Sequence, residues 1–309
     1  MLHILLAIAP IFVLIVLGYA LRRGNIPSLE FWNLNDRLVY WVLFPAMLFY
    51  KMSTTTFSSQ LVGSYAVVVV GGLLSAVVFA LLCARFSGYS ASVNSSILQG
   101  ATRHNAFVAL AICEVLFGAE GLALASLITA ILIPATNISV VSLMVVMLRQ
   151  PSKGNIFLAI LKDLARNPLI LAVLLGVLCN SLNLKHIPVL HDVAFLLGGA
   201  ALPVVLLCVG ANIRVRAMVA STVPTVMAIV GKMIVFPLSI LGLSLWVGLS
   251  EVQTMVALVF GCVPTAANSY TLARQMGGDA PLMAAIVTLQ TGLSFISLPL
   301  CILLAQSYY

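Results

Sequence analysis

Long apolar runs, each closed by Pro, Gly or charge, follow one another along the whole chain, with few polar positions inside them. A bilayer-crossing helix needs roughly 20 apolar residues. Runs of that order lie at 4–21, 37–52, 62–84, 93–116 and 121–148, then at 168–183, 192–211, 223–248, 252–273 and 281–305. The pattern predicts an all-α integral membrane fold of ten transmembrane helices. Two of the runs are interrupted in matching places, by GATRHNAFVALA at 100–111 in the fourth and GCVPTAANSYTLA at 261–273 in the ninth. Unwound backbone at membrane depth is tolerated only where protein or a watery cavity supplies the hydrogen bonds that lipid cannot. Paired breaks of this kind point to a transporter's binding site.

The halves echo each other. Gly18 with Ile26-Pro27 and then Pro45 is followed, in the second half, by Gly176 with Ile187-Pro188 and then Pro203. Gly118-Ala119-Glu120 before the fifth run matches Gly277-Gly278-Asp279 before the tenth. An odd number of spans per half requires the second copy to cross in the opposite sense. The expected organisation is a five-helix repeat at 1–148, a cytoplasmic linker at 149–167 and an inverted five-helix repeat at 168–309. The stretch at 156–164 in the linker has an amphipathic pattern suited to the inner membrane surface.

Composition adds that 62% of residues are hydrophobic and 7% charged, which leaves almost nothing for a soluble domain. The net charge of +7 does not read as a nucleic-acid footprint, because the cations are scattered between apolar runs. They report topology instead. Loops after odd-numbered runs hold Arg22, Arg23, Arg37, Arg85, Arg149, Lys153, Lys162, Arg166, Arg214, Arg216 and Arg274, whereas the even loops hold Lys51 and Lys185. This bias places the odd loops in the cytoplasm and both termini of a multi-pass protein outside. The first run lacks a preceding basic region and is followed by Arg22 and Arg23, so it reads as a retained span rather than a cleaved signal. Six cysteines without C-x-x-C spacing read as small buried hydrophobes.

Two cations remain, Arg103 and Lys232, both inside runs. At 1.5 Å per residue Arg103, His104 and Asn105 lie about 15 Å into the fourth span, near the bilayer centre. No Asp or Glu reaches that depth, so the excess there is cationic and favours an anionic ligand. Each break also exposes a helix N-terminus carrying about half a positive charge. Thr265 and Asn268 add donors beside the second break, and Gln290 and Thr291 are expected close by. Blander roles compete: Pro264 as a simple kink, Arg103 paired internally or snorkelling, His104 as a packing residue, Lys232 holding carbonyls of a broken helix. Asn137, Thr129 and Thr288 read first as interhelical hydrogen-bonding residues. The chain lacks H-E-x-x-H, G-x-S-x-G, paired mid-membrane acids and any metal-spaced Cys/His cluster, which argues against an enzyme, a metal site or a cofactor.

The Gly18-Tyr19 pair, Pro45 in LVYWVLFPAMLF, Arg103-His104-Asn105 leading to Phe117-Gly118-Ala119-Glu120-Gly121, Pro264 with Asn268, Lys232 with Pro237, and the stretch from Thr291 to Pro299 occur in an order that resembles the auxin efflux carrier family. That family includes plant auxin exporters and bacterial malonate-type permeases. The resemblance implies two inverted five-helix repeats with broken helices four and nine crossing at mid-membrane, as in bile-acid/sodium symporters. It also implies a scaffold module and a smaller module that move against each other. By this likeness Asn105 and the segment from Pro264 to Asn268 fall at the crossover. Many relatives carry Gly-Leu-Pro where this chain has Ala109-Leu110-Ala111, which predicts a milder first break.

The expected function is a secondary active transporter for a small organic anion, a mono- or dicarboxylate, working by alternating access. A potential-driven uniporter or channel is the alternative. The expected substrate-binding residues are Arg103, His104, Asn105, Pro264, Thr265, Asn268, Gln290 and Thr291, supported by Lys232 and Asn137. Sodium or proton coupling is left open, as is a homodimer; the other expected partners are membrane lipids.

Overall fold

The computed structural model describes residues 2–55, 57–148, 158, 162, 165–184, 186–213 and 222–309. Most of the linker stretch at 156–164, together with Arg149, Ser152, Lys153, Lys185, Arg214 and Arg216, lies outside the described residues.

Among the described residues the secondary structure is helical throughout. Helix α1, Leu2–Arg23, is apolar until it ends on two arginines, which suit the negative end of the helix dipole. Helix α2, Leu29–Leu38, is polar and starts on a Ser28 cap, whose Oγ accepts from the Phe31 N–H. It continues through a π-helical turn, Val39–Leu43, into α3, Phe44–Thr54. Pro45 lacks the N–H that would continue the regular ladder, and the wider turn before it absorbs the mismatch. The same device, Gly231–Val235 ahead of Phe236-Pro237, joins α9, Thr222–Val230, to α10, Phe236–Val247.

Helix α4, Ser59–Ser87, closes on Gly88 at φ +69°. Helix α5, Ala91–Thr102, starts on a Ser90 cap, and α6, Ala106–Met147, carries a break of its own at Gly118 (φ 61°, ψ −148°). Only glycine adopts that conformation readily, so the chain turns there between the fourth and fifth apolar runs. Helices α7, Pro168–Ser181, α8, Leu190–Ala211, α11, Glu251–Cys262, α12, Asn268–Met276, and α13, Ala280–Gln306, complete the order.

Among the described residues, six helical stretches are long and apolar enough to cross a membrane: Ile4–Arg23, Ser59–Ser87, Ala91–Met147, Leu190–Ala211, Thr222–Val247 and Ala280–Gln306. Pro168–Ser181 and Glu251–Cys262 are shorter apolar helices. The protein is therefore a multi-pass membrane protein by length and composition.

Packing sorts the helices into two groups that do not follow the sequence halves. In the smaller group α1 lies on α8, and α3 lies on α7 and α8. Glycines permit backbone contact there: a Cβ on Gly210 would clash with the Ile15 carbonyl oxygen, and one on Gly18 with that of Leu207. The larger group packs α4 on α10, α5 on α9 and α6 on α11, with α13 against α11 and α12. Helix α6 touches members of both groups, and a cavity lies along that boundary.

Candidate functional site

Both interruptions are complete breaks. Helix α5 ends at Thr102, three residues follow with Arg103 and Asn105 extended, and α6 begins at Ala106. No proline is needed, because Asn105 caps the new helix with its own side chain, its Oδ1 accepting from the N–H groups of Phe107 (3.2 Å) and Val108 (3.3 Å). The second break, five residues between Cys262 and Asn268, is longer and contains Pro264, while the first is complete although Ala111 predicts a milder one. The two breaks are joined directly: the Asn105 N–H donates to the Pro264 carbonyl at 2.8 Å.

Away from the cavity, Gln290, Thr265 and Lys232 spend polar atoms on backbone groups, whereas Gln99 is buried with neither side-chain polar atom partnered. Gln290 of α13 donates through Nε2 to the carbonyls of Gly100 (2.9 Å) and Ala228 (3.4 Å), and its Oε1 accepts from the Thr265 N–H at 2.9 Å. The Thr265 hydroxyl also donates to the Gly100 carbonyl, at 3.0 Å. Lys232 is wholly buried, donates to the Phe260 carbonyl at 3.1 Å and stands 4.3 Å over the Phe236 ring. Of its two sequence-level roles the structure favours the carbonyl holder, since Phe260 lies in the last turn of α11, where carbonyls lack helical partners. The Thr291 hydroxyl donates to Val287 within its own helix.

In front of the joint is a cavity of about 480 Å³. Arg103, His104, Asn105, Asn137 and Asn268 line it, whereas Pro264, Thr265, Gln290, Thr291 and Lys232 do not. Tyr40, Trp41 and Phe107 add aromatic wall. Arg103 donates one long hydrogen bond from Nη2 to the Asn268 Oδ1 (3.4 Å), and its Nε and Nη1 are buried with no partner. His104 Nδ1 is buried and unpartnered as well. A buried charged donor without a partner costs several kcal/mol, so an incoming acceptor gains more here than at a satisfied group. Helix α12 adds its positive end: Ala266, Ala267 and Asn268 lie on the cavity wall, and no side chain caps the helix. The N-terminus of α6 is instead covered by Asn105, so one helix end, not two, remains open to a ligand.

Sequence reasoning missed a further part of this cavity's wall. It is lined by Asp36 and Arg37 from α2 and by Asn212 after α8, with the Asn212 Nδ2 donating to the Asp36 Oδ2 at 2.8 Å. The cavity is thus not purely cationic. The signal in the sequence is the polar run from Asn33 to Arg37 immediately before an apolar span.

The sequence matches, over residues 3–302, the model of a family described as membrane transport protein, the auxin efflux carrier family. It is also 25% identical over 293 residues, 94% of each chain, to an uncharacterized transporter of Methanothermobacter thermautotrophicus. A match that spans nearly the whole chain carries the family assignment, and with it the role of a transporter rather than an enzyme. The chain belongs to the membrane transport protein family of the auxin efflux carriers.

Proposed function

We propose that the protein is a carrier for a small organic anion, held at the joint between the two breaks and exchanged across the inner membrane by alternating access. The observation that carries this reading is Arg103: buried in the wall of a cavity, with two guanidinium nitrogens that have no partner among the described residues. Arg103, His104, Asn105 and Asn268 are the binding residues, with Asn137 beside them. Pro264, Thr265, Gln290 and Lys232 fix the geometry of the joint, and Thr291 lies behind it.

The proposed architecture is ten spans in two inverted repeats, the fourth made of α5 with the start of α6, and the ninth of α11 with α12. Repeated local chemistry supports it. Gly88 and the Ser90 cap return as Gly248 and the Ser250 cap, both glycines at positive φ, and Gly118 returns as Gly277. The breaks fall at the same offset between these markers. The smaller helix group is proposed as one module and the larger as the other, meeting at the cavity. Arg37 and Asn212, which line the cavity, are close in sequence to the cation-bearing loops, so we read this conformation as open to the cytoplasm, with both termini periplasmic.

Coupling is tested rather than assumed, because no acid stands beside the breaks among the described residues. A potential-driven uniport is energetically sufficient: each charge leaving the cell gains about 2.3 kcal/mol per 100 mV. Uptake of labelled carboxylates by proteoliposomes, under separate sodium, proton and electrical gradients, distinguishes these modes. Saturable uptake is expected; unsaturable conductance would identify a channel. A cysteine placed at Ser152 should resist impermeant external reagent in intact cells, and free labelling overturns the topology.

A further inference from the structure

We infer that Thr136 is a specificity-determining residue: its hydroxyl takes a second polar group on the cargo and so selects hydroxy acids over plain carboxylates of the same length. The inference rests on the proposed anion site at Arg103 and deepens it. Thr136 lies near the middle of the apolar run at 121–148, on the part of α6 that follows the Gly118 turn, so it and Arg103 both stand at about mid-depth in their spans. Both line the same cavity.

A serine or threonine inside a helix commonly donates to the carbonyl one turn back. In α6 the hydroxyl of Ser126 donates to Leu122 at 2.7 Å, that of Thr129 to Ala125 at 2.8 Å and that of Ser139 to Ala135 at 2.7 Å. Thr136 departs from these neighbours: it is 4% exposed, and its Oγ1 has no partner among the described residues. The buried hydroxyls of Ser244, Ser269 and Ser297 share that condition, but none of these serines lines the cavity. An open hydroxyl and a place on the cavity wall coincide at Thr136. Its Oγ1 is enclosed in this conformation, and threonine in a helix populates two χ1 rotamers, so one rotamer step re-aims the hydroxyl toward a ligand.

A hydroxyl both donates and accepts, so the group on a cargo that matches it best is another hydroxyl. The same wall carries Phe107, Ile133, Val205 and Val209, which suit the short carbon chain joining a carboxylate to that hydroxyl. At about 480 Å³ the cavity admits acids of several lengths, and size alone does not discriminate among them. A plain acid leaves the Thr136 Oγ1 without a partner, whereas a hydroxy acid satisfies it. Sites built to hydrogen-bond a hydroxyl reject the analogue that lacks it. With one neutral hydrogen bond at stake, the expected preference is about tenfold.

The test compares binding of butyrate with that of 2-, 3- and 4-hydroxybutyrate to the purified full-length protein by calorimetry. Wild type should bind at least one hydroxy acid about tenfold more tightly than butyrate. Thr136→Val keeps the shape and removes the hydroxyl, so that preference should vanish. Its melting temperature should rise by about 2 °C, because a buried group without a partner is gone. Thr136→Ser should retain the preference. Thr129→Val, which loses a hydroxyl spent on Ala125 and away from the cavity, should keep the wild-type preference and gain no stability. Equal affinity for every acid in wild type, a preference that survives in Thr136→Val, or a lowered melting temperature in that variant contradicts the inference. The underlying site is tested separately by Arg103→Gln, which should weaken butyrate and the hydroxy acids alike. If it does so while Thr136→Val keeps the preference, the anion site stands and the role of Thr136 falls. If Arg103→Gln binds as wild type does, or wild type binds none of these acids, the site itself is wrong.

Discussion

Two buried cations stand on opposite sides of the same joint, and their surroundings differ. Lys232 is fully enclosed, with a carbonyl and an aromatic ring as partners. Arg103 retains 9% exposure into a cavity and makes one long hydrogen bond. A cation satisfied by its own chain stabilises the fold, whereas one left with open donors is disposed to bind. The contrast extends to the residues around each: behind the joint Gln290 and Thr265 spend their polar atoms on backbone, and in front His104 and Arg103 keep polar atoms free. Burial depth alone, which is what the sequence reveals, does not separate these roles.

The sharpest way to break the comparison is at its rear side. Gln290→Ala removes the side chain that bridges both breaks and strips partners from the buried Thr265 N–H. With an unsatisfied buried group costing about 1–3 kcal/mol and a cavity added, a loss of about 4 kcal/mol of stability is expected, read as a lowered melting temperature in detergent. Lys232→Met comes next. It keeps the apolar stem but leaves the Phe260 carbonyl without its donor, and a loss of about 2 kcal/mol is expected with anion affinity unchanged in the folded fraction. A selective loss of affinity in that variant would place Lys232 with Arg103 instead. The smallest effect is expected for Asn268→Ala, which frees the Arg103 guanidinium from its one anchor. Anion affinity should fall by about fivefold, equivalent to about 1 kcal/mol, with stability nearly unchanged.

Much of this was legible in the chain because membrane helices follow from local composition. The apolar runs, the polar interruptions at Arg103-His104-Asn105 and Pro264-Thr265, and the glycines that end helices all act over a few residues. What was not legible depends on how distant elements face each other. The two roles of Lys232 weigh equally in sequence and are separated by a single 3.1 Å contact with a residue 28 positions away. Gln290 and Thr265 look like ligands by type and proximity, yet their hydrogen bonds run between the breaks and α13. Asp36 escaped notice because its polar run looks like a helix end; only the packing of α2 near the end of α8 brings it to the cavity. Asn105 shows a further limit: side-chain capping substitutes for the missing proline, and a cap is recognised only once the helix start is known.

The central claim is that Arg103 takes the anion. Counterflow of a labelled carboxylate in proteoliposomes containing wild type or Arg103→Gln tests it most directly. Each hydrogen bond to a charged group contributes about 1.5–3 kcal/mol, so losing two should reduce saturable counterflow by 100-fold or more, on the order of 3 kcal/mol, with the melting temperature unlowered. Undiminished counterflow in Arg103→Gln would contradict the account.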